Sequence, residues 1–157
     1  MKIGFVSLGC SKNLVDTEKL IGIFETNEYE IVNDPKEAEA IVINTCGFIE
    51  SAKEEAINTI LEMAEYKNKK CKYLIVMGCL VERYKEELEK ALPEVDLFVK
   101  YSEYNSLWKQ IETLFKENKN LEKYNNFNDV EERVVSTGNN FAYLKIADGC
   151  SNRCTYC

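Results

Sequence analysis

The sequence predicts an α/β fold: an open five-stranded parallel sheet with helices on both faces, then a linker and one further strand. Three observations predict it. Short apolar runs alternate with longer stretches of helical periodicity, the signature of a parallel sheet wound with helices. Asp34-Pro35 and Leu92-Pro93 break the chain between such segments. After residue 118 the composition turns to Asn, Glu, Lys and Asp with scattered aromatics, as in a linker. At 157 residues, 45% hydrophobic and 30% charged, the chain has about one domain's length and enough apolar residues for a core.

The elements follow in order. Residues 2–7 form an apolar first strand, and after the turn LGCSKN, Asn13 is the expected cap of a helix running to about residue 25. Residues 29–32 make the second strand and 40–44 (AIVIN) the third, which ends in TCGF. Ala52, Ala56, Ile60 and Met63 recur at helical spacing, predicting a helix over 50–66. The basic cluster of residues 67–72 reads as a solvated loop. A fourth strand over 73–77 ends in GCL, and a helix over 82–92 stops at Pro93. Residues 97–99 form a short fifth strand, and Leu107, Ile111, Leu114 and Phe115 line a last helix to about residue 118. Finally, 140–146 (NFAYLKI) alternates like a strand and leads into the cysteine loop GCSNRCTYC.

That loop carries Cys150, Cys154 and Cys157 in a CxxxCxxC spacing, with Tyr156 before the third cysteine. Three thiolates on one short loop can hold three irons of a 4Fe-4S cube and leave the fourth iron open to a small molecule. Zinc prefers four ligands, usually paired CxxC units or His, and the chain has no His. A thioredoxin-like dithiol belongs near a βαβ unit, opening a helix. The spacing therefore favours iron and sulfur.

Three further cysteines fall at one edge of the predicted sheet. Cys10, Cys46 and Cys79 lie just beyond the carboxyl ends of the first, third and fourth strands, separated by 35 and 32 residues. In a flavodoxin-like strand order, 2-1-3-4-5, those strands are neighbours, and ligands bind in the crevice beyond their carboxyl ends. A lone buried cysteine is usually a small hydrophobe. Three at one sheet edge point to a second cluster, with the flanking Gly9, Gly47 and Gly78 letting the backbone approach it. Cys71, at the opposite edge, reads as structural. SLGCSKN lacks the glycine-rich phosphate turn, which disfavours a nucleotide in the crevice.

Composition narrows the partners. A net charge of −7 argues weakly against gripping nucleic acid. No export signal and no membrane-length apolar run is visible, and seven cysteines without one fit a reducing cytoplasm.

With both triads placed, the chain resembles the methylthiotransferase family of radical S-adenosylmethionine enzymes, through SLGCSKNLVDTE, INTCGFIESAKEE, GCLVERY, LPEVD and YLKIADGCSNRCTYC. Within it, SLGCSKNLVD, NTCGFI and the DGC before the loop are most similar to the branch that modifies small-subunit ribosomal protein twelve. A branch acting on tRNA adenosine is the alternative. Lys100 departs from the family's usual glycine.

The resemblance implies an auxiliary-cluster domain over 1–118, a linker over 119–134, and from 135 to 157 the start of a truncated radical S-adenosylmethionine (β/α) barrel. It implies two 4Fe-4S clusters and S-adenosyl-L-methionine as cofactors. Cys150, Cys154 and Cys157 would hold the cluster that cleaves S-adenosylmethionine to a deoxyadenosyl radical, which takes a hydrogen from the β-carbon of an aspartate. Cys10, Cys46 and Cys79 would hold the auxiliary cluster, whose open iron carries the sulfur that is methylated and transferred. Tyr156 would lie against the adenine, and flavodoxin or ferredoxin would donate electrons. Without the rest of the barrel the polypeptide is expected to be inactive alone. Two other classes compete: an electron-transfer or cluster-carrier module with closed clusters, and a zinc-binding interaction domain.

Overall fold

A computed structural model of the chain describes residues 1–147 together with Asn152 and Thr155. Its centre is a five-stranded sheet made of β1 (Lys2–Ser7), β2 (Glu30–Val32), β3 (Ala40–Thr45), β4 (Tyr73–Gly78) and β5 (Leu97–Lys100). All four pairings are parallel and the order is β2-β1-β3-β4-β5, the flavodoxin-like arrangement expected. Registers such as Phe5 beside Val42 and Ile43 beside Val76 put the carboxyl ends of β1, β3 and β4 side by side.

Helices cover both faces, so the central strands are apolar on both sides rather than alternating with polar residues. Helices α1 (Ser11–Thr26) and α4 (Leu107–Phe115) pack on one face, and α2 (Glu50–Ala64) and α3 (Cys79–Ala91) on the other. The period of two in a strand decides which core each residue joins. Val42, Ile75 and Met77 join Phe24 of α1 and Trp108 of α4, whereas Ile41, Ile43, Leu74 and Val76 join Ile60 of α2 and Leu88 of α3. Phe24 lies edge-on to both Tyr29 and Trp108, with ring centroids 5.1 and 5.5 Å apart.

Several boundaries differ from expectation. Helix α1 begins at Ser11 with Cys10 in the N-cap position, three residues before the expected cap Asn13, which is buried instead. Helix α3 begins at Cys79, three residues early. Helix α2 ends at Ala64 and passes into a 3-10 turn over Glu65–Asn68. Helix α4 stops at Phe115 because Lys116 takes a left-handed conformation, φ 56°.

The polar stretch 119–134 is not a loose tether. It runs through 3-10 turns at Leu121–Tyr124 and Phe127–Asp129, and Leu121, Tyr124 and Phe127 are buried against α1 and α4. The alternating stretch 140–146 forms no strand. A strand needs a neighbour to satisfy its backbone groups, and none pairs with it among the described residues, where Leu144 and Ile146 stay 82% and 88% exposed.

Candidate metal centre

The strand order brings Cys10, Cys46 and Cys79 together. Each follows a strand that ends at the same edge: Cys10 caps α1 after β1, Cys46 follows Thr45 of β3, and Cys79 opens α3 directly after β4. All three line one cavity of about 860 Å³, whose rim includes Lys12, Asn13, Phe48 and Ile49. The bend after β1 is tight enough that a Cβ on Gly9, φ 97°, would sit 2.5 Å from Cys46 Cβ and 3.2 Å from its Sγ. At the end of β4, Gly78 has φ 102°, and a Cβ there would meet Asn44 Oδ1 and the Thr45 carbonyl at 2.5 Å. Only glycine fits that position at low cost.

A frame of buried amides holds the three loops in place. Asn13 Nδ2 donates to Asn44 Oδ1 and to the Thr45 carbonyl, while the Cys10 thiol donates to Asn13 Oδ1 at 3.3 Å. Asn44 in turn donates to the Asn13 carbonyl and to Thr17 Oγ1. Thr45 Oγ1 donates to the Met77 carbonyl at 2.6 Å, linking the ends of β3 and β4. Arg83, one turn into α3 from Cys79, donates to the Gly47 carbonyl at 3.2 Å, tying the Cys46 loop to α3. Buried polar groups tied this way rigidify the backbone around them.

The electrostatics disfavour three bare thiolates. Burial pushes the Cys79 thiol above its ordinary range, and the neighbouring Cys46 and Cys10 push it further, with Lys12 and Arg83 acting the other way. Iron relieves such repulsion, because sulfur-ligated clusters bind thiolates and the cations flanking them offset the remaining charge. Among the described residues, no three His, Cys, Asp or Glu side chains gather closely enough for one metal ion. A cube needs less crowding, since it takes each thiolate on a different iron. An all-sulfur donor set, a roomy cavity and close backbone approach fit such a cluster, and fit zinc, with its four crowded ligands, poorly.

Cys71 is buried at the far edge of β4, where its thiol donates to the Tyr73 carbonyl at 3.3 Å. Cys150, Cys154, Tyr156 and Cys157 lie outside the described residues. Sequence reasoning missed Asn44 and Arg83 as parts of the site and read Asn13 only as a helix cap. Asn44 alone carried a signal, as the polar end of an otherwise apolar strand.

Residues 2–100 match uncharacterized protein family UPF0004. The chain belongs to that family. The UPF0004 match spans β1 to β5 and includes Cys10, Cys46 and Cys79. Curated relatives are alike over the whole chain. The ribosomal protein uS12 methylthiotransferase RimO of Alkaliphilus oremlandii is 65% identical over 100% of this chain and 35% of its own length. The proteins of the same name from Acetivibrio thermocellus and Clostridium botulinum are 54% and 51% identical, each over 99% of this chain and 37% and 36% of their own lengths. The chain thus spans about a third of the length of the curated relatives it matches.

Proposed function

We propose that this chain holds an auxiliary 4Fe-4S cluster on Cys10, Cys46 and Cys79 and serves methylthio transfer to ribosomal protein uS12. The observation that carries the reading is the convergence of three thiols, from three separate strand ends, on one cavity. The likeness to the uS12 methylthiotransferases supplies the reaction class and the substrate. When bound, such a cluster supplies an iron without a protein ligand, open to an exogenous sulfur species.

The chain's own residues have definable roles in this reading. Cys10, Cys46 and Cys79 ligate, and Asn13, Asn44 and Arg83 fix the loops that carry them. Lys12 and Arg83 offset thiolate charge. Phe48 and Ile49, about half exposed at the cavity rim, limit water at the open side. Cys150, Cys154 and Cys157 would hold the second cluster, which would bind S-adenosyl-L-methionine, with Tyr156 contributing to that binding. A further domain starting at about 135, after a stretch 119–134 that packs on the first domain, belongs to the same proposal, as do a flavodoxin or ferredoxin as electron donor and a cytoplasmic setting. Among the described residues no helix is long and apolar enough to cross a membrane.

The test is iron and acid-labile sulfide per chain after anaerobic reconstitution, in the parent and in a Cys10→Ala, Cys46→Ala, Cys79→Ala variant whose fold is checked by circular dichroism. The parent is expected to hold a cluster that the folded variant lacks. Equal metal in both, or zinc alone in the parent, would overturn the assignment of the sheet-edge triad.

A further inference from the structure

Helix α1 carries Cys10 at its amino-terminal cap, and its outer side carries something else: the segment that leads to Cys150. Residues 132–136 cross α1 so closely that a Cβ on Gly22 would lie 2.7 Å from the Arg133 nitrogen and 2.8 Å from the Glu132 carbonyl carbon. One turn earlier, the wholly buried Glu18 gathers that segment. Its Oε2 accepts from Arg133 Nε and Nη2 at 2.9 and 2.6 Å, and its Oε1 accepts from the Ser136 amide and hydroxyl at 2.6 and 2.7 Å. The Val134 amide donates to the Glu18 carbonyl at 3.1 Å. Nearer still to Cys10, Lys145 pairs with both oxygens of Asp16 at 2.7 and 3.0 Å, the two side chains only 10% and 7% exposed.

The anchors advance along α1 from Gly22 to Glu18 to Asp16, toward the thiol edge. The last of them, Asp16, lines a smaller cavity of about 250 Å³ together with Asn13, Asn44 and Cys79. Surface ion pairs hold little, but a carboxylate with no exposure, satisfied by four donors, is a built receptor for one particular segment. From Lys145 to Cys150 is five residues, a reach of at most about 18 Å.

We infer that residues 132–145 are a strap that α1 receives in a glycine notch and two buried ion pairs, and that Gly22, Glu18, Arg133, Asp16 and Lys145 are positioning residues. They fix where the segment bearing the second cysteine triad leaves the domain, and so set its distance from Cys10, Cys46 and Cys79. The strap itself is independent of any metal. Its role in spacing two clusters rests on the function proposed above.

The test has two arms, both on the full 157-residue chain. In metal-free protein, hydrogen exchange is read at the Val134 and Ser136 amides and across 143–147. The parent is expected to exchange there at least about tenfold more slowly than Gly22→Val or Glu18→Gln, while amides of β3 and β4 stay protected in all three. Asp16→Lys should speed exchange at 143–147, and adding Lys145→Asp should restore it, a rescue that simple loss of stability does not give. In reconstituted protein, the spin–spin interaction between the two reduced clusters is expected in the parent, lost in Gly22→Val and in Asp16→Lys, and regained when Lys145→Asp is added to Asp16→Lys. Exchange as fast in the parent as in Gly22→Val overturns the strap, and so does unchanged coupling in Gly22→Val with both clusters present. If no iron binds, the function proposed above fails and the exchange arm alone decides the strap.

Discussion

Asn13 and Asn44 bond to each other in both directions: Asn13 Nδ2 donates to Asn44 Oδ1 at 3.2 Å, and Asn44 Nδ2 donates to the Asn13 carbonyl at 2.9 Å. The pair joins α1, which begins beside Cys10, to the end of β3, which leads into Cys46. Removing either amide strands buried partners, a loss of about 1–3 kcal/mol. Asn13→Ala is therefore expected to lower the unfolding free energy by that amount, read from urea unfolding as a lower midpoint. Iron retained after reconstitution should fall with it, because the Cys10 loop loses its fixed relation to Cys46.

Gly78 tolerates no side chain. Its φ of 102°, and the two oxygens that would lie 2.5 Å from an added Cβ, combine strain with collision. Gly78→Ala should cost about 3 kcal/mol or more, read as a fall in thermal midpoint, with β4 and α3 losing hydrogen-exchange protection first.

Arg83 holds the Cys46 loop through the Gly47 carbonyl, from the helix that Cys79 opens. Arg83→Ala is expected to leave the global stability within about 1 kcal/mol, since a single part-exposed hydrogen bond is modest. Iron should nevertheless be lost to a chelator several times faster. Unchanged chelation kinetics would separate Arg83 from the metal site.

Residues past 118 belong to the core. Leu121, Tyr124 and Phe127 are 0%, 6% and 3% exposed; the Tyr124 ring packs tilted against Trp108, and Phe127 lies edge-on to Tyr104. Phe127→Ala should cost about 3–5 kcal/mol, measured by denaturant unfolding. A chain cut after residue 118 should be less stable than one cut after 136.

Alkaline pH is expected to weaken the domain. Burial, then a hydrogen bond from its hydroxyl to Glu117, pushes the Tyr29 phenol far above its usual 10.0, and burial pushes the Cys71 thiol above 9.0. Both groups are held neutral, so the stability they contribute is whole below pH 9 and falls as the unfolded chain ionises past 9.0 and 10.0. The urea midpoint should drop between pH 8 and 11, and Tyr29→Phe should shrink that drop while lowering the midpoint at pH 8.

The sheet was legible because β3 and β4 are runs of apolar residues bounded by turns, and the cysteine triad because each member sits next to such a boundary. Helix starts depart from the sequence pattern where the usual cap is missing. Cys10 caps α1 and Gly78 caps α3 without a side-chain bond to a helix amide, so the pattern of Ser, Thr, Asp or Asn before a helix was absent at the first turn. The packing of 119–134 was hidden because three buried residues in irregular turns leave no periodicity. Glu18 and Arg133 are 115 residues apart, and no local rule connects them.

The sheet edge also determines the order of assembly. Cys10, Cys46 and Cys79 stand on three separate strand-to-helix junctions, so in an unfolded chain they are separate coils whose joining would close loops of more than thirty residues each. No short peptide cut from this chain can reproduce that grouping of thiols, and a cluster bound as proposed would enter only after β1, β3 and β4 have aligned. Cys150, Cys154 and Cys157 are the reverse, a triad contained within eight residues of sequence. One triad is made by the fold and the other by the peptide, so partial unfolding should release metal from the first while the second keeps its ligands together.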